Sequence, residues 1–86
     1  MPELSRFYGI RITIYFDDHP PEHFHAEYGE YEAVFSIKDG EMIQGKLPKT
    51  AKKLVKKWYE LQQDKILEAW EHIQNDELFD KVPPLD

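Results

Sequence analysis

The sequence predicts a two-layer α+β domain: an antiparallel β-meander of three to four strands packed against two C-terminal α-helices. Two observations predict it. Apolar residues alternate in the first half of the 86-residue chain and recur every three or four positions in the second. Two amphipathic helices are the natural cover for a sheet with one apolar face. The domain is expected over residues 1–74, with strands about 9–45 and helices about 48–74. Residues 75–86 read as an acidic tail.

Each element has its own signal. Ile10, Ile12, Ile14 and Phe16 share one parity, and Arg11, Thr13 and Tyr15 the other. Period 2 is the mark of a strand with one face on the core. Pro20-Pro21 interrupts, because proline cannot donate to a ladder. A second strand is expected from His23 to Tyr28, a turn at Gly29-Glu30, and a third strand from Tyr31 to Ile37. Asp39-Gly40 reads as a type I′ hairpin turn, leading into a short strand from Met42 to Gly45. Pro48 suits the first turn of a helix. Ala51, Leu54, Val55, Trp58, Leu61 and Gln62 then follow helical spacing. Ile66, Ala69, Trp70 and Ile73 follow it again. Asp64 could cap a second helix, or the two stretches could be one bent helix; two helices with a tight joint are expected.

Composition narrows the function classes. So short a chain buries only about 60% of its unfolded surface. There is no cysteine, so neither a disulfide nor a thiolate can serve. The two tryptophans, five tyrosines and five phenylalanines must carry the core. No apolar run approaches the roughly 20 residues of a membrane span. The first residues, Met1 to Arg6, lack the apolar stretch of a signal peptide. A cytoplasmic protein is expected, with no membrane role.

Residues 17–30, DDHPPEHFHAEYGE, hold three of the four histidines. On a strand, His23, His25 and Glu27 project to one face, while Phe24, Ala26 and Tyr28 project to the other. His19 lies just upstream, across the proline pair. Three imidazoles are one way to hold zinc with an open coordination position. The candidate metal set is His19, His23 and His25 with Asp18 or Glu27, and the candidate ion is divalent zinc, manganese or nickel. A bound metal would make water acidic enough for hydrolysis. Without metal, the same three histidines could act as general acid and base on a phosphodiester. The competing reading is a set of exposed histidines on a strand face, with Tyr15 or Tyr31 stacked on them. His72, among Glu68, Glu71 and Gln74, reads as a solvated surface residue.

A second feature is electrostatic. Lys46, Lys49, Lys52, Lys53, Lys56 and Lys57 fall in one stretch that contains no acid. The whole chain carries −6, so the remainder carries −12. At 100° per residue, the five lysines from Lys49 onward occupy one helix arc, opposite Ala51, Leu54, Val55 and Trp58. The expectations are a solubilising helix surface, phosphate contacts to RNA or DNA, or docking of an acidic protein.

Residues 5–48 also carry a resemblance. Ser5-Arg6-Phe7, Gly9-Ile10, Asp18-His19-Pro20-Pro21, His23-Phe24-His25-Ala26, Tyr28-Gly29, Gly40, Gly45-Lys46-Leu47-Pro48 and Trp58 resemble a family of small bacterial proteins. That family is known only as a domain of unknown function, number four-one-six-zero. The later helical stretch with Trp70 also fits, so the resemblance covers about residues 2–74. Glu22 departs from it, standing where proline is usual. The resemblance implies one half of an intracellular, toxin–antitoxin-like pair with a cognate small protein. It assigns no catalytic residue. Three function classes follow: a binding half of a protein pair, a small ribonuclease-like phosphodiesterase built on the histidines, and a metal-binding module without turnover.

Overall fold

The computed structural model describes residues 3–14, 21–75, 77–79 and 81–85. Among them, five strands precede a helix: β1 (Glu3–Phe7), β2 (Ile10–Thr13), β3 (His23–Tyr28), β4 (Tyr31–Ser36), β5 (Met42–Lys46) and α1 (Lys49–Gln74). The strands form one antiparallel sheet in sequence order. The α+β class and the meander therefore hold, but the strand and helix counts need correcting.

The additional strand is β1. It escapes a period-2 reading because its register shifts between Glu3 and Ser5. Leu4 is then an inserted residue, and Leu4 and Phe7 are both buried although their parities differ. The β1–β2 connection is a two-residue turn in which both central residues have positive φ, Tyr8 at 49° and Gly9 at 80°. That is the I′ condition.

The I′ turn expected at Asp39-Gly40 is absent. β4 and β5 are joined instead by a loop, Ile37 to Glu41. The Gly40 N–H donates to Ser36 O (2.8 Å), and the Ser36 N–H donates to Glu41 O (2.9 Å). Asp39 Oδ1 accepts from the Glu41 N–H at 3.0 Å. Gly40 alone takes positive φ there, 75°. A Cβ on it would lie 2.5 Å from the Tyr59 ring, so the helix packs directly on this glycine.

The two expected helices are one, 26 residues long, with a kink at Gln62 (φ −121°, ψ 21°). Its buried residues are Ala51, Val55, Trp58, Tyr59, Ile66, Ala69, Trp70 and Ile73. They stay on one arc through the junction, so the pattern does not restart at Asp64, which is exposed and caps nothing. Gln62 sits on the same arc between Trp58 and Ile66. A half-buried amide takes the place of an apolar contact there, and the helix bends at that residue. Pro48 precedes the helix rather than opening its first turn.

The core lies between sheet and helix. Ile10, Ile12, Ile14, Phe24, Ala26, Ala33 and Phe35 face the helix and are fully or almost fully buried. Phe24 and Phe35 stack at 5.4 Å, and Trp58 lies against Phe7 and Phe24 at 5.4 and 5.6 Å. The segment read as an acidic tail adds Val82 and Leu85 to this core. Two hydrogen bonds hold it: Trp58 Nε1–H to Pro83 O and the Val82 N–H to Leu4 O, both 2.9 Å. Among the described residues, no helix is long and apolar enough to cross a membrane.

Candidate functional site

The register of the sheet places the histidines. His23 pairs with Ser36, and His25 stands between Thr13 of β2 and Val34 of β4. Phe24 and Ala26 point into the core. Alternation therefore sends His23, His25 and Glu27 to the opposite face, as the sequence predicts. The His23 and His25 rings meet edge to face with centroids 5.2 Å apart. Pro21, Glu32, Val34, Ile43 and Gln44 complete a shallow depression of about 330 Å³ around them.

His23 is oriented on two sides. Its Nδ1 lies 2.8 Å from Pro21 O. A carbonyl oxygen only accepts, so Nδ1 carries the proton and Nε2 of the neutral ring carries the lone pair. The Trp70 indole lies against the same ring at 5.4 Å. His25 Nδ1 is 4.0 Å from Glu32 Oε1. Beside it, the Thr13 hydroxyl is fully buried and makes no hydrogen bond to a described residue.

Glu27 shares the histidines' face but is engaged with an arginine. It faces Arg11 Nη1 at 3.7 Å, and Arg11 Nε also approaches Glu3 Oε1 at 3.3 Å. Asp18 and His19 lie outside the described residues. Among the described residues, no group of three or more histidine or carboxylate side chains is placed to hold a metal ion. Of the expected set, His23 and His25 are the two that the described residues bring side by side. His72, expected to be merely solvated, has Glu77 Oε1 3.2 Å from its Nδ1.

The lysines form a separate surface. Lys46 ends β5, opposite Glu32 in register. Lys49, Lys52, Lys53 and Lys57 are exposed on the first half of α1, and Lys56 is half-buried. Lys56 Nζ bonds Glu41 Oε1 at 2.8 Å. That bond, then the glutamate's charge, raises the lysine's pKa above its ordinary value. The other five lysines make no ion pair with a described residue.

Lys46 stands next to the depression, paired with Glu32 in the sheet, whereas the helical lysines lie away from the histidines. The helix covers the apolar face of the sheet, while the histidines alternate to the other face. Trp70, which touches His23, is 13 residues beyond Lys57. At a rise of about 1.5 Å per residue, that is roughly 20 Å along the helix.

Sequence reasoning missed Glu32, Val34 and Trp70 as neighbours of the histidines. A signal for Val34 was present. A two-residue turn at Gly29-Glu30 pairs Tyr28 with Tyr31 and therefore His25 with Val34. Nothing local announces Trp70, which arrives 47 residues after His23 through tertiary packing.

Comparison with known proteins gives one result. No curated protein and no solved structure matches the chain. A family profile described as a domain of unknown function, DUF4160, matches residues 9–71. That match takes in the strands β2 to β5, the histidine stretch and the lysine helix through Trp70, and by it the chain belongs to the DUF4160 family.

Proposed function

We propose that this protein is the binding half of a two-protein, toxin–antitoxin-like module, and that it docks an acidic partner protein on the lysine face of α1. One observation carries the reading. Lys49, Lys52, Lys53 and Lys57 stand exposed on one helix surface without a carboxylate partner among the described residues. Such an array attracts acidic surfaces over a Debye length and speeds encounter. Nucleic acid is the weaker occupant. The stripe from Lys49 to Lys57 is only about 12 Å long by helix rise. The −12 on the rest of the chain repels flanking phosphates.

The test is capture followed by reconstitution from purified components. Reversal of Lys49, Lys53 and Lys57 to glutamate should abolish binding of the captured protein. The pair His23→Ala and His25→Ala should leave it intact. Loss of binding in the histidine variant alone would overturn the reading.

A second reading is supported by the orientation of His23. Its Nδ1–H bond to Pro21 O fixes the ring and its tautomer, as the orienting contact of a catalytic or ligating imidazole would, with the His25 ring 5.2 Å away. In this reading the chain is a small ribonuclease-like hydrolase, with or without zinc, manganese or nickel. Elemental analysis and melting with and without chelator, on protein lacking a histidine tag, test the metal form. RNA and phosphodiester hydrolysis by the wild type and by His23→Ala test the chemistry. No metal, no chelator effect and no turnover would dispose of it.

A further inference from the structure

The outward surface of α1 changes sign along its length. In its first half the outward arc carries Lys49, Lys53 and Lys57, and no acid. Its second half carries Glu60, Asp64, Glu68 and Glu71 on the same arc, all exposed. Lys65 lies to one side of it. Between the halves stands Leu61, 66% exposed, and one face further on is Leu67 at 41%. These leucines project from the polar side of the helix, where core packing does not require them.

From this arrangement we infer that two copies of the chain pair through α1, antiparallel about a two-fold axis beside Leu61. An axis between Glu60 and Leu61 sets Lys57 against Asp64 of the second copy, and Lys53 against its Glu68. It also sets each Leu61 beside the axis, opposite Glu60 of the second copy, so the two leucines flank the centre on either side. Every attractive pair occurs twice, as a closed two-fold interface requires. A parallel arrangement would place lysines on lysines and acids on acids, so charge selects the antiparallel one. The same helix face thus has its complement in the chain itself. Self-pairing would cover the lysines that the acidic partner of the preceding section uses, and the two associations would compete.

The absence of cysteine makes the test clean. Leu61→Cys places a thiol beside the axis, within a few residues of its counterpart, and Leu78→Cys, at a 91% exposed residue, is the control. The wild-type chain at low salt should sediment as a concentration-dependent dimer. Because exposed charges are screened within about 10 Å at 0.1 M salt, raising salt to about 0.5 M should weaken the dimer roughly tenfold or more. Under mild oxidation, Leu61→Cys should form a covalent dimer much faster than Leu78→Cys. Combining it with K53E and K57E should abolish that advantage. The K53E/K57E chain and a D64K/E68K chain should each be monomeric alone and form a heterodimer when mixed. All these positions are exposed, and circular dichroism checks that each variant folds. A wild-type monomer at low salt would overturn the inference. So would Leu61→Cys linking no faster than the control. If only self-association fails while a second protein still requires the lysines, this inference falls and the binding-module reading stands.

Discussion

The histidine depression and the lysine face are built differently. The helical lysine face is the product of one helix: five residues, Lys49, Lys52, Lys53, Lys56 and Lys57, at helical spacing, displayed wherever that helix forms. The depression is assembled from β3, β4, β5 and Pro21, with Trp70 from the far half of α1 lying against His23. One depends on a local period, the other on register and tertiary packing. The difference teaches which surface a substitution can damage without touching the other, and the following experiments use it in descending order of effect.

Trp70→Ala should act most strongly. The side chain is 5% exposed and lies against His23. Truncation of such a residue costs about 3–5 kcal/mol. Denaturant unfolding should show that loss. In the surviving folded state, the His23 ring resonances should move while those of Lys49 to Lys57 stay. Movement of both sets together would break the distinction between the surfaces.

Gly40→Ala should rank second. The residue holds φ 75°, and a Cβ would meet the Tyr59 ring at 2.5 Å. Positive φ for a residue with a side chain costs about 1–3 kcal/mol before any clash is counted. The loop it supports carries Glu41, the partner of Lys56. Amide exchange should therefore accelerate at the β4–β5 loop and mid-helix, with His25 unaffected.

Acid titration should show a smaller effect. The hydrogen bond from Arg6 holds the Glu3 carboxyl below its ordinary pKa, with further help from the charges of Arg6 and Lys81. A depressed carboxylate stabilises the fold above its unfolded pKa, and the contribution disappears as pH falls through the folded value. Arg6→Ala should return the Glu3 titration, followed by NMR, toward the ordinary carboxylate range. It should also flatten the loss of stability on acidification. An unchanged Glu3 titration would show that Arg6 is not the cause.

The same distinction explains what could be read from the residues alone. Alternation at Ile10, Ile12 and Ile14 gives a strand without ambiguity, and Gly29-Glu30 sets the β3–β4 register. Leu4 is hidden because an inserted residue erases parity, and Tyr8 is a poor advertisement for an I′ turn, since a bulky residue at positive φ is an outlier. Asp39-Gly40 shows the converse: a favourable dipeptide was overridden by the packing of Tyr59 onto Gly40. At Asp64 the pattern looked as though it restarted in a second helix, whereas the buried arc from Trp58 through Gln62 to Ile66 carries a single, kinked helix past it. The lysine face and the shared direction of His23 and His25 were legible because each rests on a single element's period. Trp70 was not, because its approach to His23 is decided by how the kinked helix crosses the end of the sheet.

The most direct test of the account is the affinity of the reconstituted partner for three forms of the chain, measured at one salt concentration. The account predicts that the His23→Ala, His25→Ala variant binds as the wild type does, and that reversal of Lys49, Lys53 and Lys57 to glutamate removes binding. Retained affinity in the lysine variant, or loss confined to the histidine variant, would contradict it.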